Sequence, residues 1–143
     1  MLLENQRTTV DEHQETFDLS LPHGVIQGYH WGILAPGHVK KTWGYETIHI
    51  NTGLYCLKEL VIFEGLSTSK HFHIRKHETL LCTKGKIIVS TYNKDHVTST
   101  ILEVGDSFVV VPGLVHSLGS LQGDSILVEA STFSQDEDSI RLQ

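Results

Sequence analysis

The sequence predicts an all-β domain, a small double-sheet jelly roll, on three observations. Short runs rich in Val, Ile, Thr and Tyr follow one another, turn residues separate them, and none reaches the ten residues at helical period that a core helix requires. Closely spaced short strands of this kind build antiparallel sandwiches or barrels. The length of 143 residues fits one domain. We assign that domain to residues 23–143, after an N-terminal arm at residues 1–22.

Each predicted strand is bounded by its own turn signal. In chain order the predicted strands are YETIHI, LYCLKELVIF, KHFHI, ETLLCT, KIIVSTY, VTSTILE, SFVVV, VHSL and SILVEAS. Gly, Asn or Asp marks turns at 51–53, 64–65, 84–85, 93–95, 105–106 and 123–124. Residues 1–22 show no sustained period, so we predict that the arm is partly disordered or adds to an edge of the fold.

Charge and composition exclude several partner classes. Lys and Arg number 11 against 17 Asp and Glu, and the net charge of −6 argues against nucleic acid or an anionic membrane surface as a partner. Cys56 and Cys82 lie in apolar runs, where reduced Cys acts as a small buried hydrophobe. The absence of a signal-like apolar start and of about 18 consecutive apolar residues predicts a cytoplasmic protein. Apolar edge strands favour a homodimer.

One short segment, HFHIRKHE, has the spacing of a metal site. His71 and His73 are two apart, so their side chains share one face of a strand. Glu78 comes at an odd offset, so the chain must turn within IRKH and begin a new strand before the carboxylate can join the two rings. His116, after a Pro-Gly turn, is the fourth candidate. The alternative for an isolated HxH pair is an exposed or hydrogen-bonded core histidine.

Three imidazoles and one carboxylate form a mixed nitrogen and oxygen shell. Such a shell suits one divalent transition metal, Zn, Mn, Fe, Ni or Co, and without Cys it is not a purely structural thiolate zinc site. One or two coordination positions stay open for water or substrate, which permits Lewis-acid chemistry.

The same residues resemble the two motifs of the cupin superfamily. The first motif is matched without a gap by Gly65, His71, His73, Glu78 and Gly85. The second motif runs from Gly105 to His116 and beyond, with Val111 where the pattern has Pro and Ser120 where it has Asn. The resemblance implies a cupin jelly-roll barrel, that is, a double-stranded β-helix, whose interior holds the metal.

Flanking segments resemble the cupin domain of type II mannose-6-phosphate isomerases. The similar segments are KTWGYE at 41–46, YCLKELVIFEG at 55–65 and LVEASTFSQDEDSIRL at 127–142. Two positions depart from that domain: His71 stands where it usually has Gln, and Lys76 represents its basic residue two before the Glu ligand. The resemblance implies a small-molecule ligand, a sugar or sugar phosphate.

Aldose–ketose chemistry needs a proton-transferring group beside the metal. Lys58 and Glu129 are the catalytic candidates, and the alternative for each is a solvent-facing or surface-paired side chain. Lys76, with its neighbours Arg75 and His77, is predicted at the barrel mouth, where these cations meet an anionic substrate or are only solvated.

Three further residues complete the predicted substrate site. Trp43 and Tyr45 are candidates for stacking on a sugar face, with core packing or a dimer interface as the alternative. The resemblance adds Arg141 as a substrate-binding candidate. Three functions follow from these residues: a metal-dependent sugar or sugar-phosphate isomerase or epimerase, a non-catalytic sugar- or metabolite-binding protein, and an iron dioxygenase.

Overall fold

The computed structural model describes residues 9–10, 13–14 and 38–143. Its strands are β1 (Thr9–Val10), β2 (His13–Gln14), β3 (His38–Lys41), β4 (Gly44–Asn51), β5 (Cys56–Ile62), β6 (His71–His73), β7 (Glu78–Lys84), β8 (Ile87–Asn93), β9 (His96–Leu102), β10 (Ser107–Val110), β11 (Val115–Ser120), β12 (Ser125–Ser131) and β13 (Ser139–Arg141). One 3-10 turn, Asp136–Asp138, precedes β13. None of the described residues lies in a helix long and apolar enough to cross a membrane.

Two antiparallel sheets form the barrel. The larger sheet has the order β10-β7-β12-β5-β4-β3, and the smaller has the order β13-β6-β11-β8-β9. Neighbours in each sheet are mostly distant in sequence, as in a jelly roll. The predicted all-β jelly-roll barrel is therefore confirmed.

All nine predicted strands are present, as β4 to β12, and two further strands of the barrel sheets, β3 and β13, were not predicted. β3 has the polar sequence HVKK, and β13 has the three residues SIR, so neither carries an apolar run. Of the predicted arm, only β1 and β2, which pair with each other, are described. The rest of residues 1–22, and residues 23–37 of the predicted barrel domain, lie outside the described part of the chain.

The apolar core fills one part of the space between the sheets. Ile62, Leu80, Ile87, Val89 and Leu127 are all completely buried there. Alternation along each strand explains this, because every second side chain points inward. The remaining inward positions are polar, and they cluster away from this core around the histidines.

The chain crosses from one sheet to the other between the predicted ligands. His73 ends β6 in the smaller sheet, and Glu78 begins β7 in the larger one. The predicted turn in IRKH is thus confirmed, and residues 74–77 form the crossing. Since the two sheets face each other, Glu78 approaches the histidines from the opposite wall of the barrel.

Candidate metal centre

Three histidine rings meet at the centre of the smaller sheet. β6 supplies His71 and His73, and the neighbouring strand β11 supplies His116, whose Cα lies opposite that of His71. The ring centroids are 5.0 Å apart for His71 and His73, 4.3 Å for His71 and His116, and 5.6 Å for His73 and His116. One nitrogen from each ring lies within 4.8 Å of the other two. The i, i+2 spacing thus places both β6 rings in the interior, as predicted.

Backbone carbonyls fix the tautomer of two of these rings. His71 Nδ1 lies 2.7 Å from the Ser69 carbonyl oxygen, and His116 Nδ1 lies 2.9 Å from that of Leu114. Because a carbonyl only accepts, each Nδ1 must carry the proton and donate it. In the neutral ring Nε2 then keeps a lone pair, which is the arrangement of metal-ligating histidines.

Glu78 brings its carboxylate to the same point. Glu78 Oε2 lies 3.1 Å from His73 Nε2, and Oε1 lies 3.9 Å from His116 Nε2. His116 Nε2 is buried and has no hydrogen-bond partner among the described residues, whereas Glu78 Oε2 is held by ion contacts with His73 and Lys76. A buried polar atom without a partner is costly, so His116 Nε2 favours a bound group between itself and Glu78.

Burial sets the charge of the site. Burial, together with the neighbouring His116, lowers the pKa of His71 to about 4. Burial also lowers the pKa of His116. Burial by itself would raise the pKa of Glu78, but the contact with His73 and the charge of Lys76 outweigh it, so this pKa is lowered. Neutral imidazoles and an ionised carboxylate are the forms that bind a metal.

The residues therefore fit a divalent transition metal. His71, His73 and His116 present ring nitrogens, Glu78 adds an oxygen donor, and the donor set contains no thiolate. The unpartnered His116 Nε2 is the observation on which this fit depends.

Lys76 is buried, which differs from its predicted position at the barrel mouth. Its relative exposure is 4%, whereas its neighbours Arg75 and His77 are exposed as expected. Lys76 Nζ lies 3.0 Å from Glu78 Oε2 and donates to Glu129 Oε2 at 2.8 Å. The ion pairs with these two carboxylates stabilise the buried position of the ammonium. Burial by itself would lower the pKa of Lys76, but Glu129 and Glu78 outweigh it, so this pKa is raised.

Lys58 and Glu129 are also buried rather than solvent-facing. They lie directly opposite each other on β5 and β12, with Lys58 Nζ 4.0 Å from Glu129 Oε2 and 3.6 Å from Glu46 Oε2. Burial lowers the pKa of Lys58, but the carboxylates, Glu129 first, raise it by more. Both catalytic candidates thus belong to one buried series of ion pairs that leads from Glu46 to Glu78.

A cavity of about 100 Å³ opens beside the histidines and these ion pairs. Trp43 lines it while also packing against the apolar core, and Arg141 lines its edge as an exposed residue. Tyr45 is not among the lining residues, because it alternates with Glu46 on β4 and packs edge-on against Phe63 at 6.2 Å. The structure therefore gathers all predicted site residues except Tyr45.

Sequence reasoning missed Glu46 and Asp138. Glu46 lines the cavity and pairs with Lys41 at 3.9 Å as well as with Lys58. Its i, i+2 relation to the buried Ile48 is a signal that could have located it inside. Asp138 is buried although it lies in the acidic stretch DED, where no sequence pattern separates a buried carboxylate from exposed ones.

The fold and this site define a jelly-roll protein with a histidine cluster suited to a metal. Residues 37–142 match the family model described as Cupin, so the chain belongs to the cupin family. A curated D-lyxose/D-mannose isomerase from Thermosediminibacter oceani is 27% identical over 127 residues, covering 73% of this chain and 70% of that protein.

Solved structures share the fold at low sequence identity. CapF, a capsular polysaccharide assembling protein from Staphylococcus aureus, matches with a TM-score of 0.68 and 17% identity over 76% of this chain and 34% of its own. KdgF from Halomonas sp. matches with a TM-score of 0.58 and 19% identity over 65% of this chain and 81% of its own. Oxalate decarboxylase from Bacillus subtilis matches with a TM-score of 0.67 and 14% identity over 75% of this chain and 30% of its own. The chain thus spans about a third of CapF and of oxalate decarboxylase.

Proposed function

We propose that this cupin is a divalent-metal-dependent sugar isomerase or epimerase. The observation that carries the proposal is the buried, unpartnered His116 Nε2, which faces two further imidazoles and Glu78 beside a small polar cavity. The substrate class is supported by the similarity to a D-lyxose/D-mannose isomerase over most of both chains.

Within this class, the cavity favours an unphosphorylated sugar over a sugar phosphate. Its three lysines, Lys41, Lys58 and Lys76, each lie within 4.0 Å of a glutamate oxygen. A phosphate would have to separate these pairs, and separating the buried pairs of Lys58 and Lys76 leaves carboxylates without a partner at high cost. The cavity is also well below the roughly 300–1,000 Å³ of drug-sized sites, which fits a monosaccharide.

In the proposed reaction, each residue around the cavity has a separate role. A divalent metal held by the three histidines and Glu78 would polarise a carbonyl or hydroxyl oxygen of the sugar. Glu129 accepts the proton from the hydroxyl-bearing carbon beside the carbonyl and returns it to the former carbonyl carbon, while the proton of that hydroxyl passes to the former carbonyl oxygen. Lys58, held protonated by Glu129 and Glu46, donates a hydrogen bond to a sugar oxygen. Trp43 and Arg141 orient the sugar from the edge of the cavity.

A non-catalytic sugar-binding protein is the second candidate. The observation in its favour is that Glu129 lies between two ammonium groups, with Lys76 Nζ at 2.8 Å and Lys58 Nζ at 4.0 Å. Both ammonium groups approach the same carboxylate oxygen, Glu129 Oε2, so that oxygen is less accessible to a proton of the sugar.

The proposal is tested first by metal analysis and then by a turnover assay. Elemental analysis of purified protein should find close to one transition-metal ion per chain, and His73→Ala should lose it. The metal-loaded protein should then interconvert D-mannose or D-lyxose with the corresponding ketose without oxygen, and Glu129→Gln should bind the sugar but not convert it. Binding without any product would support the second candidate, whereas oxygen uptake by iron-loaded protein would support the dioxygenase. Wild type without near-stoichiometric metal would contradict the isomerase and the dioxygenase.

We also propose a homodimer in the cytoplasm. The outer face of edge strand β9 exposes Val97 and Ile101, at 61% and 53%, and apolar edge strands favour association between copies. Light scattering during size-exclusion chromatography should give twice the mass of one chain, and the mass of a single chain would contradict the dimer.

A further inference from the structure

The backbone N–H groups of the crossing between the two sheets all donate to one later segment of the chain. Residues 74–77 have four backbone N–H groups, and each donates to a residue within 132–138. Ile74 donates to the Asp138 carbonyl at 3.0 Å, and His77 donates to Thr132 Oγ1 at 3.1 Å. The two amides between them, those of Arg75 and Lys76, both donate to the Asp138 side chain.

Asp138 is built into the fold as a buried carboxylate. Its relative exposure is 2%, and its Oδ1 and Oδ2 accept from Arg75 N and Lys76 N at 2.8 Å each. Hydrogen bonds from backbone N–H groups to an ionised carboxylate are about twice as strong as neutral ones. One side chain thus fixes two consecutive peptide units of the crossing.

The position of that crossing decides whether the ligands can meet. His73 and Glu78 lie on opposite sheets and are joined by only four residues, so a shift of the crossing moves them relative to each other. Lys76, which contacts Glu78, lies within the crossing itself. The strand that follows Asp138, β13, pairs with β6 along its full length, with Ser139 opposite His73 and Arg141 opposite His71.

We propose that Asp138 is a positioning residue for the metal centre. By holding the amides of residues 74–76 it sets the separation of the ligand strand β6 from Glu78, and so couples the C-terminal segment 136–142 to metal affinity. The inference rests on the proposed metal centre but is independent of the sugar and of the reaction.

The test compares metal affinity in two charge-matched variants. Asp138→Asn keeps the size of the side chain but offers only one acceptor oxygen to the two amides. Glu137→Gln removes the same charge from the exposed neighbour in the same 3-10 turn. Direct hydrogen-bond partners of metal ligands contribute about 10–100-fold to affinity. Asp138 acts through the crossing and not on a ligand atom, so Asp138→Asn should bind Co²⁺ more weakly than wild type by the lower end of that range, about 10-fold, with an altered visible absorption spectrum. Glu137→Gln should match wild type in both measurements.

A measurement on the wild-type protein covers the case in which Asp138→Asn does not fold. Coupling between two sites is reciprocal, so metal binding must in turn stabilise the segment that positions the ligands. Hydrogen exchange of a peptide covering residues 136–142 should slow when Co²⁺ is added, whereas the β8–β9 turn at residues 94–95 should exchange at an unchanged rate.

The outcomes separate this inference from the proposed function. Wild-type affinity and spectrum in a folded Asp138→Asn, or unchanged exchange of residues 136–142 while β6 and β11 become protected, would overturn the positioning role and leave the metal centre intact. Failure of wild type to bind Co²⁺ at all would instead contradict the metal centre itself.

Discussion

Replacing Lys76 by Met tests the buried ion pairs beside the candidate metal centre. The side chain of Lys76 is 5% exposed, and its ammonium lies within 3.0 Å of carboxylate oxygens of both Glu78 and Glu129, each 3% exposed. Met keeps the length and most of the apolar volume of Lys but removes the charge. Two buried carboxylates then lose their nearest cation.

The size of the effect follows from burial. Removing one partner of a buried ion pair costs about 3–5 kcal/mol, because an uncompensated charge is left inside the protein. Lys58 offsets part of this cost for Glu129 at 4.0 Å. We therefore expect the metal-free Lys76→Met protein to lose about 3 kcal/mol of unfolding free energy at pH 7.

The assay is urea unfolding of metal-free protein, with Lys86→Met as the matched control. Lys86 Nζ lies 3.4 Å from Glu103 Oε1, but their side chains are 37% and 70% exposed, so removing this pair should cost about 0–1 kcal/mol. Adding Glu129→Gln to Lys76→Met should recover at least about 1 kcal/mol, because the two sites are in direct contact. A Lys76→Met protein no less stable than Lys86→Met would refute the reasoning.

The ion pair of Lys76 and Glu78 also predicts how the destabilisation caused by Lys76→Met changes with pH. The pKa of Glu78 is lowered on folding, so its stabilisation is present above the ordinary value of 4.5 and is lost as the pH falls through the lower folded value. The pKa of Lys76 is raised on folding, so its stabilisation is complete below 10.5. The difference in stability between wild type and Lys76→Met should therefore be constant near neutral pH and shrink below pH 4.5.

Three further predictions concern the rest of the barrel. Metal at about 100 times its Kd should add roughly 2.7 kcal/mol to the unfolding free energy of wild type, and His116→Ala should abolish the gain in the same urea titration. Cys56 and Cys82 are buried, and burial raises the pKa of Cys56 to about 11, so neither thiol should react rapidly with a disulfide reagent at pH 8 until the protein is unfolded. Gly105→Ala, at φ +98° in open space, should cost about 1–2 kcal/mol in urea unfolding. Gly85→Ala, at φ +80°, should cost more, because the added methyl group would overlap the buried Ser125 hydroxyl at the start of β12. Equal costs for the two variants would contradict this packing.

The sequence predicted those parts of the fold that depend on local pattern. Each of the nine predicted strands carries an apolar run between turn residues, and the i, i+2 spacing of His71 and His73 alone places both rings on one face. β13 could not be predicted, because it is stabilised by pairing with β6 and its own three residues carry no strand pattern.

Burial of charged residues could not be predicted in the same way. Lys76 lies in IRKH between two exposed neighbours, and only the approach of Glu129 from β12, 53 positions later, makes an inward ammonium favourable. Asp138 likewise depends on amides 62 and 63 positions earlier in the chain. Such pairings are set by the way the sheets pack together, which strand periodicity does not encode.

Charge balance in the cavity bears on the choice between turnover and passive binding. Among the described residues that line it, three lysines match three glutamates, and one arginine at the edge matches one aspartate. The ionised side chains therefore cancel, and a divalent metal would leave the site with a net positive charge. When Glu129 takes a proton from a sugar, the net charge of the site is unchanged, but the negative charge moves from the carboxylate to the sugar oxygens that would face the metal. Since catalysis requires stronger binding of the transition state than of the substrate, this shift of negative charge towards the metal favours the isomerase over the passive binder.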